Sequence, residues 1–320
     1  MDRIHSRLPS RTHQRGAPVS RLPEALHAPR HELNHPAVGR IAYYKSAPSR
    51  GADNRPLLLI HSINAAPSSY EVKPIFECFQ DRRPVYSIDL PGFGHSERRN
   101  RRYSPQLYAD AINALLDQVI GETADVLALS LSAEFVARAA LAKPHAFASL
   151  ALISPTGFST RAMPSAEVGR FAHSALSVPF WRQGLFDLLA SKPSIRYFLN
   201  QSFSANAPEE LIDYAYATAH QPGACHAPLV FLSTQLFTRN ALDKLYTQLP
   251  SLPVLTIADR DPYVTFERLP GFAAKHPTWR LQTLAPHMGI PQWERSEATC
   301  GALAQFWRDV GPDQRSGPVR

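Results

Sequence analysis

From residue 39 onward the chain alternates short, continuous apolar runs with longer stretches of helical periodicity. That pattern restricts it to an α/β architecture built on a mostly parallel sheet. Residues 41–44, 57–60, 85–88, 126–129, 150–153 and 254–258 read as strands. The run Leu57-Leu58-Leu59-Ile60 has no polar alternate position, as expected of a strand covered on both faces. A further strand, 279–284, alternates apolar with polar residues. Between strands, Ser104-Pro105 supplies a capping side chain and a first-turn proline. Leu107, Ala111, Leu115 and Val119 then keep one helical face inward. Helices are also expected over 131–141, ending before Pro144, and over 294–310. With 320 residues, 44% of them hydrophobic, the chain has the material for a sizeable core. No apolar run approaches the roughly 18 residues of a membrane span, so none is expected.

One segment breaks the alternation. Residues 156–240 hold short helical pieces and no convincing strand before 229–232, yet carry 12 of the 31 aromatic residues. Phe171, Phe180, Trp181, Phe186, Tyr197, Phe198, Tyr214 and Tyr216 are among them. The segment reads as a helical cap inserted into a core formed by 37–155 and 241–310, with most of its aromatics packing it onto that core. The first 36 residues, with Arg3, Arg7, Arg11, Arg15, Arg21 and Arg30 among Pro, Ser and His, read as a mobile basic extension, and 311–320 as a tail. No apolar h-region marks the N-terminus as a secretory signal.

The net charge of +7 raises the question of nucleic acid. No zinc-finger spacing, aromatic RNA-binding motif or basic heptad helix accompanies it, so no nucleic-acid partner is expected. Cys78, Cys225 and Cys300 lie far apart without metal or disulfide spacing and read as ordinary thiols of a reducing cytoplasm. No cofactor or metal motif is present in the sequence.

The chemistry concentrates at Val126-Leu127-Ala128-Leu129-Ser130-Leu131-Ser132-Ala133. A serine closing a buried strand and leading directly into a helix has the form of a nucleophile elbow, where the turn lifts the hydroxyl clear of the backbone. Centring the elbow on Ser130 puts Ala128 and Ser132 at the positions that must be small; centring it on the rival Ser132 would put Glu134 at one of them. Partners follow in order. Asp259-Arg260-Asp261 comes after the 254–258 strand, and Ala285-Pro286-His287-Met288 after the 279–284 strand. A serine needs a base, and the base needs an acid to orient it and stabilise its cation. Either Asp259 or Asp261 is placed to be that acid. After the 57–60 strand, His61-Ser62-Ile63-Asn64 forms a loop whose Ile63 N–H, with that of Leu131, can make an oxyanion hole. His61, Ser62, Asn64 and Leu129 are the candidate pocket residues beside it.

These strings together resemble the α/β-hydrolase superfamily in its capped branch of esterases and C–C bond hydrolases, over about residues 39–308. "SIDLPGFGHS" (87–96) is similar to that family's Asp-x-Pro-Gly-x-Gly-x-Ser turn, and "LLLIHSIN" to its strand-then-His-Gly loop. "IADRDPYV" and "APHMGIPQWE" resemble the stretches around the acid and the histidine. The resemblance implies an α/β-hydrolase fold with a cap, and a triad of Ser130, Asp261 and His287. It implies hydrolysis of a mostly apolar ester or thioester, without a cofactor. C–C bond hydrolysis or a lyase or cyclase reaction would use the same residues, and a non-catalytic ligand-binding protein would keep the pocket alone.

Glycine is scarce where this family uses it. The chain has 29 prolines and 15 glycines, and the elbow and oxyanion loop carry Ala128, Ser132 and Ser62 instead. Pro286 stands where a glycine precedes the histidine. The small side chains are expected to add bulk where the backbone approaches an oxyanion. Arg98, Arg99, Arg101 and Arg102 are expected near the site mouth. They are placed to attract an anionic coenzyme A or acyl-carrier substrate, the plainer reading being a solvated basic loop.

Overall fold

A computed structural model describes residues 21–47, 55–162, 164–176, 178–249 and 251–311. Eight strands form one sheet in the order β1-β2-β4-β3-β5-β6-β7-β8. They are β1 (Arg30–His35), β2 (Gly39–Lys45), β3 (Leu57–Ile60), β4 (Val85–Ile88), β5 (Ala124–Leu129), β6 (Phe147–Ile153), β7 (Val254–Ile257) and β8 (Trp279–Gln282). Every pairing from β4 through β8 is parallel; β2 alone runs antiparallel to both neighbours.

The continuous apolar runs have a direct packing cause. Leu58 and Ile60 of β3 enter one core cluster with Val126 and Ala128. Leu57 and Leu59 enter a second with Leu127 and Leu129. The two clusters lie on opposite faces, so both parities of each strand must be apolar. Helices α1 (Lys73–Phe79), α2 (Pro105–Leu115) and α3 (Ser132–Ala142) follow β3, β4 and β5. Ser104 caps α2 by accepting the Leu107 N–H at 3.2 Å.

Between β6 and β7 lie α4 (Ala166–Leu176), α5 (Pro179–Leu189), α6 (Lys192–Gln201), α7 (Glu209–Ala219), α8 (His226–Leu232) and α9 (Ala241–Lys244). Phe186 and Tyr214 are buried, whereas Phe171, Tyr197, Phe198 and Tyr216 are exposed; the side chains of Phe180 and Trp181 fall outside the described set. Then come α10 (Leu269–Ala273), α11 (Pro291–Glu294) and α12 (Ser296–Asp309). No described helix is long and apolar enough to cross a membrane.

Three expectations change. Residues 21–36 do not form an extension: Leu22, Ala25 and Leu26 are buried in the second cluster, and the Ala25 N–H donates to the Tyr44 hydroxyl at 2.8 Å. Arg30–His35 is an edge strand paired with β2. Its polar sequence hides it, because an edge is protected by charge and shows no apolar alternation. Residues 1–20 and 312–320 lie outside the described residues. The 229–232 run belongs to helix α8, a short apolar run being compatible with a buried helix as well as a strand. The closing helix is two helices, broken at Arg295, whose φ of −133° is not helical.

Candidate active site

β3 lies between β4 and β5, so the chain order reverses there, and in open α/β sheets such a reversal is where ligands bind, beyond the carboxyl ends of the strands. The register pairs Ile60 with Ala128 and Leu129 with Ile153, which sets the loops after these strands side by side. Ser130 occupies the turn between β5 and α3 with φ of 50°, and its N–H is held by the Ile153 carbonyl at 2.9 Å. A left-handed φ in a non-glycine residue costs about 1–3 kcal/mol and persists only where the surroundings over-determine it. Ser130 stays partly accessible. Ser132 is fully buried, and its hydroxyl donates to the His61 carbonyl at 2.6 Å.

His287 is fully buried. Its Nδ1 lies 2.5 Å from the Met288 carbonyl, which assigns the proton to Nδ1, and its Nε2 has no partner among the described residues. Asp261 Oδ1 accepts the N–H groups of Tyr263 at 2.8 Å and Val264 at 2.9 Å. Its Oδ2 lies against Gly289, where a Cβ would come within 2.4 Å of it. Burial pushes the Asp261 carboxyl above the usual value, against the pull of those N–H groups and of nearby His287. Asp259 Oδ2 accepts the backbone N–H of His287 at 3.3 Å, so it meets the main chain and not the ring. No hydrogen bond joins the side chains of Ser130, His287 and Asp261 among the described residues.

After β3, His61 is fully buried and braces the loop. Its Nε2 accepts the Leu90 N–H at 2.9 Å, and its Nδ1 lies 2.6 Å from the Ser62 carbonyl. Leu129 is 2% exposed and packs in the core. Neither of these expected pocket residues therefore has a free side chain to offer. The Ile63 and Leu131 N–H groups have no acceptor among the described residues. The three replacements for glycine are absorbed. Ser62 turns to Glu71, its N–H donating at 2.8 Å and its hydroxyl at 3.1 Å. Ser132 ties to His61, and Ala128 is buried within β5. Asn64 also donates to Glu71, at 2.7 Å.

The turn over residues 87–96 is a clasp: buried Asp89 accepts the N–H groups of Ser69 and His95, both at 2.8 Å. Gly94 has φ of 50°, and a Cβ there would come within 2.1 Å of Asp89 Cγ, so the glycine is required. Arg98 donates to the Gly94 carbonyl, and burial lowers its pKa to about 10. Arg101 donates to the carbonyls of Val38 at 2.5 Å and Ala37 at 2.7 Å, and Arg99 pairs with Glu97 at 3.4 Å. Arg102 is exposed.

Sequence reasoning missed several supports. Ser154, the residue after β6, has φ of 47° and donates to the Gly289 carbonyl at 2.7 Å; a serine ending a buried run, as Ser130 does, was its signal. Glu71 and Glu294 carry no such mark. Cys78 of α1 and Cys300 of α12, remote in sequence, meet thiol to thiol. No described cluster of His, Cys, Asp and Glu could hold a metal ion.

Comparison with known proteins agrees with this architecture. A probable hydrolytic enzyme from Pseudomonas aeruginosa PAO1 superposes with a TM-score of 0.68 at 20% identity, covering 88% of this chain and 95% of that one. A thermophilic esterase from Thermogutta terrifontis gives 0.67 at 19%, covering 88% and 99%. The uncharacterised hydrolase YugF of Bacillus subtilis (strain 168) is 23% identical over 177 residues, 55% of this chain and 61% of that protein's length. The sequence model of the alpha/beta hydrolase family matches residues 57–302, more than three quarters of the sequence, and the chain belongs to that family.

Proposed function

We propose that this α/β hydrolase cleaves a mostly apolar carboxylic ester or thioester through an acyl-enzyme on Ser130. The observation that carries the reading is the strained serine: a non-glycine residue with φ of 50°, partly accessible, between β5 and the N-terminus of α3. His287 Nε2, left unprotonated when Nδ1 donates to Met288, takes the Ser130 proton as the oxygen attacks the carbonyl carbon. It then gives that proton to the departing alkoxide or thiolate. Water attacks the acyl carbon by the same route, with His287 again as base and Ser130 as leaving group. Asp261 supplies the negative charge that stabilises the buried imidazolium.

The Ile63 and Leu131 N–H groups hold the oxyanion, each worth about 2.7–4 kcal/mol in such a site. Hydrogen bonds between triad members often tighten only when substrate is bound, which accommodates their absence in the resting arrangement. The aromatic-rich helices between β6 and β7 form the cap and supply an apolar acyl wall. Arg98 and Arg101 are committed to backbone carbonyls, so a coenzyme A or acyl-carrier moiety is not part of this reading. The reading includes a reducing cytoplasm as the location, supported by three cysteines that form no disulfide. A second reading, hydrolysis of a C–C bond, draws on two further structural neighbours. They are a serine hydrolase involved in carbazole degradation and a meta-cleavage product hydrolase from Pseudomonas fluorescens IP01, at 13% and 15% identity.

A fluorophosphonate, followed by mass spectrometry, tests the assignment. The adduct is expected on Ser130, lost in Ser130→Ala and weakened in His287→Ala. An adduct on Ser132 overturns the nucleophile. No adduct on folded protein favours a binding protein, and a panel of ester, thioester and diketone substrates separates the reactions.

A further inference from the structure

Building on the serine-hydrolase reading, we infer that Glu71 and Glu294 are positioning residues. Joined through α11, they hold the oxyanion loop and the His287 loop in register.

Glu71 lies in the single helical turn Ser69–Val72 that precedes α1. Its Oε1 accepts the Asn64 amide at 2.7 Å and the Ser62 hydroxyl at 3.1 Å, and its Oε2 accepts the Ser62 N–H at 2.8 Å. Asn64 is fixed further by donating to the Ser62 hydroxyl at 2.9 Å and by accepting the Ala66 N–H at 2.8 Å. Ile63, whose N–H is the proposed oxyanion donor, thus lies between two residues gripped by one carboxylate. A glycine at position 62 would offer that carboxylate only its N–H; the serine adds a second bond.

The same residue reaches the other half of the site. The Glu71 carbonyl accepts the Trp293 indole N–H at 2.9 Å and the Gln292 amide at 3.3 Å, both from α11. The next residue, Glu294, accepts the Met288 N–H at 2.8 Å and the Ser204 N–H at 2.5 Å. Met288 is the residue whose carbonyl holds His287 Nδ1. Hydrogen bonds, together with the peptide bond from Trp293 to Glu294, therefore link the oxyanion loop, the histidine loop and the inserted segment at 204. Neither carboxylate has a cationic partner among the described residues, so both act by accepting N–H and O–H donors. Such bonds to an ionised acceptor are among the stronger ones.

Glutamine is the probe of choice, because it keeps the shape and turns one acceptor oxygen into a donor that faces other donors. A misplacement near 1 Å in an active site can cost about 100-fold. Glu71→Gln is expected to lower kcat by about 10- to 100-fold with KM within about threefold, since the acyl wall is untouched. The experiment uses the full chain and three readouts: amide hydrogen exchange over 61–66 and 285–290, the rate of fluorophosphonate labelling, and kcat and KM on a medium-chain p-nitrophenyl ester. Glu71→Gln is expected to speed exchange over 61–66, and Glu294→Gln over 285–290, with labelling slowed in both. In a Ser62→Gly background the Glu71→Gln effect shrinks, because part of the contact is already gone. If Glu71→Gln does not fold, Asn64→Ala, which removes one donor, carries the same test. Exchange and labelling unchanged from the parent overturn the inference. A parent protein inert to the reagent, with exchange loosened in both variants, overturns the serine-hydrolase reading and leaves the brace standing.

Discussion

Glu134→Gln turns a buried carboxylate into a measurable pH dependence of stability. Glu134 lies in the first turn of α3, just past the Ser130 elbow, and is 1% exposed. Its Oε1 accepts the Thr156 hydroxyl, and its Oε2 the Thr238 N–H at 2.7 Å. Arg138 is nearby and donates to the Thr238 hydroxyl at 3.1 Å, while Tyr246 donates to the Thr156 carbonyl at 3.0 Å. Burial is the largest influence and pushes the Glu134 pKa from 4.5 up to about 7, in spite of those bonds and Arg138.

The sign follows from the direction. A carboxyl whose pKa is raised on folding leaves the native state favoured while protonated; that stability is present below the unfolded pKa and is lost as pH rises through the folded one. Between pH 5 and pH 8 the loss is about 2.5 kcal/mol, or about 5 °C in Tm for a chain of this size. Glutamine is neutral throughout and keeps one acceptor oxygen. The Tm of Glu134→Gln minus that of the parent is therefore expected to rise by about 5 °C from pH 5 to pH 8, read by differential scanning fluorimetry in matched buffers. Taking the difference cancels the groups common to both proteins. Parallel curves would show that Glu134 is ionised across the range and refute the reasoning.

Two further outcomes test parts of the fold that spacing concealed. Thiol donation from Cys300, with Arg82 nearby, lowers the Cys78 pKa to about 7 against the opposing effect of burial, whereas burial raises Cys225. Iodoacetamide at pH 7.5 is expected to modify Cys78 first and more slowly in Cys300→Ala; peptide mapping that finds Cys225 modified first contradicts this. Leu26 is 2% exposed in the cluster that holds Tyr44, so Leu26→Ala is expected to cost about 3 kcal/mol, or about 6 °C in Tm. An unchanged Tm would mean that the segment before β1 does not belong to the core.

Periodicity along the chain was enough for the parallel strands of the sheet, and the proposed elbow and succession Ser130, Asp261, His287 were likewise read from neighbouring residues. A strand covered on both faces must be apolar at both parities, and a nucleophile turn needs small residues two positions away. Those demands act within a few residues and leave a readable mark. Edge strand β1 left none, since the charges that protect an edge erase the alternation that would reveal a strand.

Partnership across the chain was decided only by the tertiary structure. Nothing near Glu71 in sequence points to Trp293, and nothing near Cys78 points to Cys300; the fold brings these pairs together by packing α11 against the turn that leads into α1 and α12 against α1 itself. The replaced glycines make the same point. Their residue types suggested bulk at the proposed elbow and oxyanion loop, yet Ser62 and Ser132 turn their hydroxyls into Glu71 and the His61 carbonyl. Local sequence determines which residue types a position can hold. Whether a polar side chain obstructs or braces depends on an acceptor within about 3 Å, and only the folded chain supplies it.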